Sequence, residues 1–520
     1  MKKLLTLCVV WLACYAGAQT VEGDTLKYRI NLRDKAATTY KLSEPEAFLS
    51  AKAIERRQRQ GLSVDSTDLP VCQTYVDQIA AVGVKIVVTG KWENFVTVST
   101  NDPALIEQIA ALPFVASTEN VWIAPPPKPK RMFPGGGDPQ GGGGDPRGEG
   151  GGDPRGGGGD PQGGGGDPRG GGGDPQGGNR PQADSTAAPQ QPPMPMRRPG
   201  RMGNELVHHE DSLYGPATRQ ILLHHADKLH EAGFSGQGMT IAVVDAGFMG
   251  VDKMDAMSNV RILGQRDFVN PSGTVYDSGM HGTAVLSCIA MNRPYEMMGT
   301  APEAEFYLFR TEDEDSEQTV EQDYWAAAVE CADSAGVDVI NTSLGYVALD
   351  HPHMAYRMCE LDGQHALISR QAGRLADKGI VLTCSAGNEG DESWKKIGVP
   401  ADADGILTVG AVDEDALLTN FSSVGNTSDG RVKPDVVAMG KKSCVIMPNG
   451  LQGNANGTSF SSPIMCGMVA CLWQACPTLT AHQLIELVRS AGDRYDCPDN
   501  IYGYGLPDMW AAYQSYLNKE

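Results

Sequence analysis

The chain has 520 residues, of which 63 are glycine and 33 are proline. This share of glycine and proline is too high for a chain packed into cores throughout, so we expect part of it to be linker. Acidic residues outnumber basic residues by 64 to 43, and the net charge of −21 argues against nucleic acid or an acidic membrane surface as a partner.

The N-terminus has the three-part layout of a secretory signal peptide. Lysines follow the first methionine, an apolar stretch covers residues 4–13, and small residues fill positions 16–18. We therefore expect a signal peptide over residues 1–18 and secretion to the medium or the periplasm. The apolar stretch is too short for a bilayer, which takes about 20 residues to span, and we expect no membrane span. Lipoprotein anchoring through Cys14 is less favoured, because Trp11 stands where such sites need a small aliphatic residue.

Residues 19–123 alternate strand and helix signals over a length near the lower limit for an independent domain. The predicted strands are Leu26–Leu32, Val84–Val88, Phe95–Ser99 and Phe114–Ile123. The predicted helices are Ala47–Gln60, Tyr75–Ala81 and Pro103–Leu112. This pattern predicts a small α+β sandwich.

Residues 124–203 change abruptly to glycine, proline, aspartate, glutamine and arginine, with a Gly-Gly-Gly-Gly-Asp-Pro unit repeated roughly every seven residues. Such a segment has almost nothing to bury and cannot offset its backbone entropy, so we expect a disordered linker. A calcium-binding glycine repeat is a more specific alternative, but such repeats need a regularly spaced aliphatic residue that this repeat lacks.

Residues 211–518 alternate short apolar runs with helical patterns. The predicted strands are Met239–Val244, Glu305–Arg310, Val337–Asn341, Ile380–Ser385 and Ile406–Val412. The predicted helices are His281–Met291, Thr319–Ala335, Gln364–Lys378, Ser461–Ala475 and Ala481–Ser490. Buried strands that alternate with helices predict an α/β domain, with a mostly parallel sheet and helices on both faces. In such sheets, active-site residues collect at the carboxyl ends of the strands.

Four chemically capable residues stand where a strand ends or a helix begins. Asp245 ends an apolar strand, His281 opens a helix, and Asn388 follows a buried strand. Ser459 precedes a long apolar run. Each has a plain structural explanation as a turn residue, a polar contact or a helix cap. The last two also suit catalysis, because an exposed amide at a sheet edge and a serine at a helix start can both stabilise an oxyanion.

In the order Asp, His, Asn, Ser, these segments resemble the subtilisin-like serine peptidases, over about residues 214–516. That order along the chain is itself part of the resemblance. The matching segments are Val243-Val244-Asp245-Ala246-Gly247, His281-Gly282-Thr283, Asn341-Thr342-Ser343-Leu344-Gly345, Ser385-Ala386-Gly387-Asn388 and Gly457-Thr458-Ser459. The resemblance implies a secreted serine endopeptidase, made as a self-processing zymogen, that hydrolyses protein or peptide substrates through an acyl-enzyme.

The resemblance implies a role for each of the four residues. Ser459 would attack the scissile carbonyl, His281 would take and later deliver the proton, and Asp245 would orient the imidazole. Asn388 would hold the oxyanion together with the Ser459 backbone N–H. The residues expected to line the substrate cleft are Ser343, Leu344 and Gly345 on one wall and Ala386 and Gly387 on the other.

Two positions depart from the commonest pattern of the family, in which many members have a second histidine and a methionine. This chain has Ala284 and Phe460 there. Neither position carries a proton-transfer role, so we expect these departures to affect packing more than chemistry.

The resemblance also implies that the N-terminal domain is a propeptide that acts as an intramolecular inhibitor. It implies no cofactor for the chemistry. We assign no metal ligand, and structural calcium sites cannot be read from the sequence. The acidic run Glu312–Glu317 lacks the spacing of a calcium loop, so we expect a solvated loop. Cys476 and Cys497 stand in polar surroundings and are the candidates for a disulfide.

Two other enzyme classes fit less well. An α/β-hydrolase needs the order Ser, Asp, His, but no acidic residue lies between Ser459 and His482. A zinc peptidase needs a pattern such as His-Glu-x-x-His, whereas this chain has pairs such as His224-His225, which we expect at the surface. A narrow processing peptidase, a broad scavenging peptidase and a surface-assembly protein on the same fold remain open from the sequence.

Overall fold

The computed structural model of the protein describes residues 26–124, 212–352 and 354–519. The expected signal peptide and all but the first residue of the expected linker lie outside the described residues. No helix in the described parts of the chain has both the length and the apolar character needed to cross a bilayer.

The N-terminal described segment is an α+β sandwich, as predicted. Its elements are β1 (Leu26–Leu32), α1 (Ala51–Arg59), α2 (Gln73–Ala81), β2 (Lys85–Gly90), β3 (Phe95–Thr100), α3 (Pro103–Ala110) and β4 (Val115–Ile123). The strands form an antiparallel sheet in the order β2-β3-β1-β4. The first helix begins later than predicted, because the Ser50 side chain accepts a hydrogen bond from the Ala53 N–H at 3.1 Å and caps it there.

The C-terminal domain begins at residue 212 of the described chain. Its helices are α4 (Thr218–Leu222), α5 (Ala226–Glu231), α6 (His281–Ala290), α7 (Val320–Ala335), α8 (Leu367–Arg374), α9 (Thr458–Ala475), α10 (Ala481–Ser490) and α11 (Met509–Leu517). Its strands are β5 (Thr240–Asp245), β6 (Arg261–Asp267), β7 (Asn292–Arg293), β8 (Met297–Met298), β9 (Glu305–Arg310), β10 (Val339–Thr342), β11 (Val381–Ser385), β12 (Leu407–Val412), β13 (Val436–Met439), β14 (Ser443–Ile446) and β15 (Gln452–Ala455).

Seven of these strands form one sheet in the order β13-β12-β11-β10-β5-β9-β6, and every neighbouring pair is parallel. One apolar core lies between the sheet and α6, α9, α10 and α11, and a second lies between the sheet and α7 and α8. The predicted α/β fold with helices on both faces is therefore confirmed. The central three strands are β11, β10 and β5.

Some elements differ from the prediction. The sequence pattern does not predict β6, because its side chains alternate between exposed and partly exposed and form no apolar run. The helix predicted over residues 364–378 is α8 followed by a 3₁₀ turn, Ala376–Lys378. The expected disulfide is wrong: Cys476 is buried at the end of α9, Cys497 lies on the surface, and no disulfide joins the two among the described residues.

Candidate active site

The central strands bring candidate residues from distant parts of the sequence to one edge of the sheet. Asp245 is the last residue of β5, Ser343 follows β10, and Asn388 follows β11 by three residues. Because these three strands are parallel neighbours, their carboxyl ends lie side by side. The helices α6 and α9 begin at the other two candidates, with His281 and Ser459 in their first turns.

Asp245 and His281 form a hydrogen-bonded pair. His281 Nδ1 lies 2.8 Å from Asp245 Oδ1, which also accepts the Ala246 N–H at 2.8 Å. Asp245 is 1% exposed. The approach of α6 to β5 requires a glycine after the histidine, since a Cβ at Gly282 would lie 2.3 Å from the carbonyl oxygen of Gly247. The sequence His-Gly therefore places the imidazole against the carboxylate.

The charge around His281 favours its protonated form. Burial alone would lower the pKa of His281. The negative charge and hydrogen bond of Asp245, helped by Glu314 and Glu312, outweigh burial and raise this pKa above its ordinary value. An imidazole beside a fixed carboxylate in this way is suited to accept a proton and to remain stable as the imidazolium.

Ser459 is the second residue of α9 and lies next to the loop that follows β10. Its Oγ donates to the carbonyl oxygen of Ser343 at 3.4 Å, and Ser343 Oγ donates to the carbonyl oxygen of Ser459 at 2.9 Å. Among the described residues, the bond to the Ser343 carbonyl oxygen is the one hydrogen bond of Ser459 Oγ. His281 Nε2 has no hydrogen bond there. The structure thus brings Ser459 to the edge that holds Asp245 and His281, without a hydrogen bond between the serine and the histidine.

The amide of Asn388 is oriented by a residue that the sequence analysis does not single out. Asn388 Oδ1 accepts hydrogen bonds from the backbone N–H of Thr458 at 2.9 Å and from Thr458 Oγ1 at 3.1 Å. With its oxygen bound, the amide leaves its NH₂ group as the available donor. Thr458 Oγ1 also accepts the Gly387 N–H at 3.1 Å. The position of Thr458 immediately before the serine is the signal that could have identified it.

The residues expected to line the cleft differ in exposure. After β10, Ser343 is buried, Leu344 is partly exposed and Gly345 is exposed. After β11, Ala386 is buried and Gly387 is partly exposed, with a φ of +106° that favours glycine. Leu344, Gly345 and Gly387 therefore present surface at the strand ends, whereas the Ala386 side chain packs inside the domain.

Both departures from the family pattern lie in packed surroundings. Ala284 is 6% exposed within the core beneath α6 and α9. Phe460 is also 6% exposed, and its ring centroid lies 5.9 Å from that of His281. Phe460 therefore contacts the imidazole from the start of α9.

The expectation of a solvated loop over Glu312–Glu317 is wrong for Glu312. Tyr346 donates its hydroxyl to both carboxylate oxygens of Glu312 at 2.8 Å. Carboxylate oxygens of Glu312, Glu317 and Glu321 also lie within 4.8 Å of one another, a spacing that could hold a metal ion. Burial raises the pKa of all three carboxyl groups, and neighbouring carboxylates add to the shift. Sequence spacing does not reveal this group, because Glu321 comes from the first turn of α7.

The expectation that the paired histidines lie at the surface is wrong for His224. Its side chain is fully buried, and its Nδ1 lies 2.9 Å from the carbonyl oxygen of Pro507. Burial lowers the pKa of His224 to about 4. His224 is therefore a neutral core residue that links the start of the C-terminal domain to its last turns.

The N-terminal domain covers carboxylates of α7. Glu330 accepts the backbone N–H groups of Lys91 at 2.6 Å and Trp92 at 2.9 Å. Asp323 accepts Arg29 Nε at 2.7 Å. Burial raises the pKa of Glu330 to about 7, against the opposing effect of Lys91. The two domains are thus joined by charged and polar contacts along this helix.

Asp333 of α7 binds three cations of the N-terminal domain. Its carboxylate lies 2.6 Å from Arg56, 2.9 Å from Arg57 and 3.1 Å from Lys91, and its side chain is 0% exposed. Burial alone would raise the pKa of Asp333, but Lys91, Arg56 and Arg57 together hold it well below its usual range. Three cations around one buried carboxylate make this the most concentrated charge pairing between the domains.

The end of β4 lies beside the segment that follows β9. The Gln318 side chain accepts the Ile123 N–H at 2.8 Å and donates to the Ile123 carbonyl oxygen at 2.9 Å. The last residue of β9, Arg310, stands opposite Asp245 of β5 in the sheet register. The N-terminal domain therefore ends near the edge of the sheet that holds the candidate active site.

Comparison with known proteins gives matches to both domains. A family model described as the subtilase family matches residues 236–505. A second, described as the peptidase S8 propeptide domain of Bacteroidota, matches residues 27–131. The chain is 32% identical to subtilisin NAT of Bacillus subtilis subsp. natto over 292 residues, which are 56% of this chain and 69% of that protein.

Two further proteins are similar to this chain. It is 30% identical to serine protease AprX of Bacillus subtilis (strain 168) over 301 residues, which are 52% of this chain and 65% of that protein. The solved structure of the MycP3 protease from the type VII (ESX-3) secretion system is 22% identical, with a TM-score of 0.47, and covers 58% of this chain and 90% of that one.

Proposed function

The chain belongs to the subtilase family and is a serine endopeptidase with a propeptide domain, and from this premise we propose that Ser459, His281 and Asp245 are its catalytic triad. Ser459 Oγ turns from the Ser343 carbonyl toward His281 and attacks the substrate carbonyl, while its proton passes to His281 Nε2. Asp245 stabilises the imidazolium. His281 then gives the proton to the leaving amine, and water hydrolyses the acyl-enzyme by the same steps.

The oxyanion of the tetrahedral intermediate accepts hydrogen bonds from the Asn388 NH₂ group and the Ser459 backbone N–H. The observation that carries the proposal is the 2.8 Å hydrogen bond between His281 and Asp245 at the sheet edge that also holds Ser459 and Asn388. The anchored oxygen of Asn388 supports the donor role of its amide. Leu344, Gly345 and Gly387 border the substrate, and the scheme uses no cofactor.

Labelling of the processed enzyme with a fluorophosphonate, followed by peptide mapping, tests the nucleophile. The label should appear on Ser459 and should be lost in Ser459→Ala. Ser461→Ala is the matched control, since Ser461 lies in the same helix turn and donates to the Thr458 carbonyl oxygen at 3.0 Å instead of facing the cleft. Labelling on any other residue, or unchanged labelling of Ser459→Ala, would contradict the proposal.

We also infer that the N-terminal domain inhibits the enzyme in the precursor and is removed by the enzyme itself. The contacts of Ile123 with Gln318 near the active-site edge, and the cover over α7, support this role. Purified wild-type protein should shorten on a gel with time, whereas Ser459→Ala should keep its full length. Loss of the N-terminal domain from Ser459→Ala, free of other peptidases, would show that a different enzyme processes it.

The sequence of residues 1–18 supports secretion. Deletion of residues 2–18 should therefore retain the protein in the cytoplasm, as measured by cell fractionation.

Membership of the subtilase family supports protein or peptide as the substrate. The breadth of the substrate range is tested with an unfolded general substrate such as casein. A broad peptidase should hydrolyse casein once its N-terminal domain has been removed. Full fluorophosphonate labelling with no casein hydrolysis would instead indicate a narrow processing peptidase.

A further inference from the structure

The segment that follows β10, residues 343–346, is fixed at both of its ends. At the first end, Ser343 and Ser459 exchange two hydrogen bonds through their hydroxyls and carbonyl oxygens. At the other end, Tyr346 is 1% exposed. Its N–H donates to the Val399 carbonyl oxygen at 2.8 Å, and its own carbonyl oxygen accepts the Val399 N–H at 3.1 Å. The two residues between these ends are therefore held on either side.

Those two residues, Leu344 and Gly345, present backbone groups without partners. Within the described parts of the chain, the backbone of neither residue makes a hydrogen bond. Leu344 is partly exposed and Gly345 is exposed. Free N–H and C=O groups on an extended segment can bind a peptide as an added strand. This segment is thus suited to bind the backbone of the substrate residues that precede the scissile bond.

The hydroxyl of Tyr346 joins this segment to the chain that follows β9. It donates to both carboxylate oxygens of Glu312 at 2.8 Å. Glu312 Oε1 also accepts Thr311 Oγ1 at 2.9 Å, and the Thr311 N–H donates to the carbonyl oxygen of Asp245 at 3.1 Å. The Glu312 carboxylate is therefore anchored beside the proposed catalytic aspartate, and Tyr346 is bonded to it.

The chain that follows β9 already binds an extended backbone in the precursor. The Gln318 side chain accepts the Ile123 N–H at 2.8 Å and donates to the Ile123 carbonyl oxygen at 2.9 Å. Ile123 is the last residue of β4. The hydrogen bond between Glu312 and Tyr346 therefore joins the segment that binds this strand to the segment with the free backbone groups.

We propose that Glu312 and Tyr346 are positioning residues, which fix the backbone of Leu344 and Gly345 for the substrate residues that precede the scissile bond. This inference rests on the proposed function. Without the contact, residues 343–346 stay attached at Ser343 but lose one restraint at Tyr346. The substrate must then order the segment when it binds, and this cost lowers affinity. The reaction of Ser459 with small compounds needs none of these backbone groups.

The test compares a long and a short substrate in processed Tyr346→Phe. The long substrate is a tetrapeptide p-nitroanilide, and the short one is a single-residue p-nitrophenyl ester. Both end in the residue that the wild-type enzyme cleaves fastest. For the tetrapeptide, KM should rise about fivefold, the size of one hydrogen bond, with kcat within about twofold. For the single-residue ester, kcat/KM should stay within about twofold of wild type.

Two variants of Glu312 sharpen the test. Glu312→Ala should raise the KM of the tetrapeptide as Tyr346→Phe does, and the double variant should show no further rise, because one contact is lost in all three. Glu312→Gln keeps an oxygen that can accept the Tyr346 hydroxyl, so its KM should stay near that of wild type.

The matched control is Tyr214→Phe. Tyr214 is 6% exposed in the apolar core beneath α6 and α9, and its hydroxyl lies 3.1 Å from His230 Nδ1. This variant also loses a buried hydroxyl, but at a site that does not contact the segment after β10. Its KM for the tetrapeptide should equal that of wild type.

The proposal would be overturned if Tyr346→Phe left the KM of the tetrapeptide unchanged, or changed kcat/KM equally for both substrates. If Tyr346→Phe gave no folded enzyme, Glu312→Ala and Glu312→Gln would decide, and an equal KM for the tetrapeptide in these two would overturn it. Failure of the proposed function looks different, since wild-type enzyme would then carry no fluorophosphonate label on Ser459. Normal labelling of Ser459 in Tyr346→Phe, with a parental KM, would contradict this inference alone.

Discussion

The two long helices α7 and α9 lie on opposite faces of the same sheet, and both are largely buried. From Ile464 onward, α9 buries apolar side chains. By contrast, α7 buries the acidic residues Glu321, Asp323, Glu330 and Asp333. The cover of α9 comes from its own domain, whereas the cations and N–H groups that meet α7 come largely from the N-terminal domain.

This difference shows that the side chains on a buried surface indicate whether that surface can later be exposed to water. An apolar helix has to stay buried, because its exposure to water is unfavourable. Carboxylates tolerate water well and are stable in a dry interface only when they are paired. The acidic face of α7 is thus compatible with two states, one covered by the propeptide and one exposed after processing.

The largest effect should come from the single reactive side chain of α9. Ser459→Ala should lower kcat by about 10⁶-fold, the size known from subtilisin itself. The substitution removes one hydroxyl and leaves the apolar face of α9 intact, so the thermal midpoint should change little. Steady-state kinetics of Ser459→Ala protein whose N-terminal domain has been removed by a different peptidase, at a concentration set by absorbance, and a thermal melt measure the two quantities. A large fall in the midpoint would show that the serine is needed for the packing of α9.

The next largest effect is a change in stability that should distinguish α7 from α9. Asp333→Asn leaves three buried cations around a neutral group and should destabilise the Ser459→Ala precursor by about 3–5 kcal/mol. In the processed enzyme, Asp333 faces solvent and the change should stay within about 0.5 kcal/mol.

The comparator for Asp333→Asn is Leu472→Ala in α9. Leu472 is 0% exposed, and its truncation should cost about 2–5 kcal/mol in precursor and processed enzyme alike. Urea denaturation of the Ser459→Ala precursor and of inhibitor-blocked processed enzyme measures both variants. If Asp333→Asn lowered the free energy of unfolding equally in the precursor and in the processed enzyme, α7 and α9 would not differ in the way described above.

A smaller effect is expected where the loop after β11 meets the start of α9. Asn388→Ala should lower kcat by about 10²–10³-fold, the range known for this substitution in subtilisin, with little change in KM. The reason is that the amide donates to a charge present only in the transition state. Steady-state kinetics on a peptide substrate measures the changes in kcat and KM separately. An equal change in KM would indicate that Asn388 binds the ground state.

The smallest effect concerns the acidic segment just before α7. Glu314 is one of the carboxylates that raise the pKa of His281. Glu314→Gln removes a negative charge, which lowers that pKa and shifts the acid limb of kcat/KM to lower pH by less than about one unit. A pH profile of the processed enzyme measures the shift, which should shrink at high salt. A shift to higher pH would contradict the charge effect.

Much of the fold follows from local sequence patterns. The strand Glu305–Arg310 and the helix Ala481–Ser490 have the predicted bounds, since apolar periodicity and a capping Thr480 define them locally. The edge strand β6 escapes prediction because its exposure pattern gives no apolar run. The hydrogen bonding of Glu312 escapes prediction too, since its partner Tyr346 comes from a distant loop.

The sequence by itself determined the fold class and which residues could do the chemistry, because strand ends, helix starts and the order Asp245, His281, Asn388, Ser459 are all properties of short segments. Only the tertiary structure decided that Thr458 donates to Asn388 Oδ1, and that Arg56 and Arg57 of the N-terminal domain meet Asp333 of α7. These contacts join segments far apart in the chain. Their energies depend on distance, burial and pairing, which no local pattern specifies.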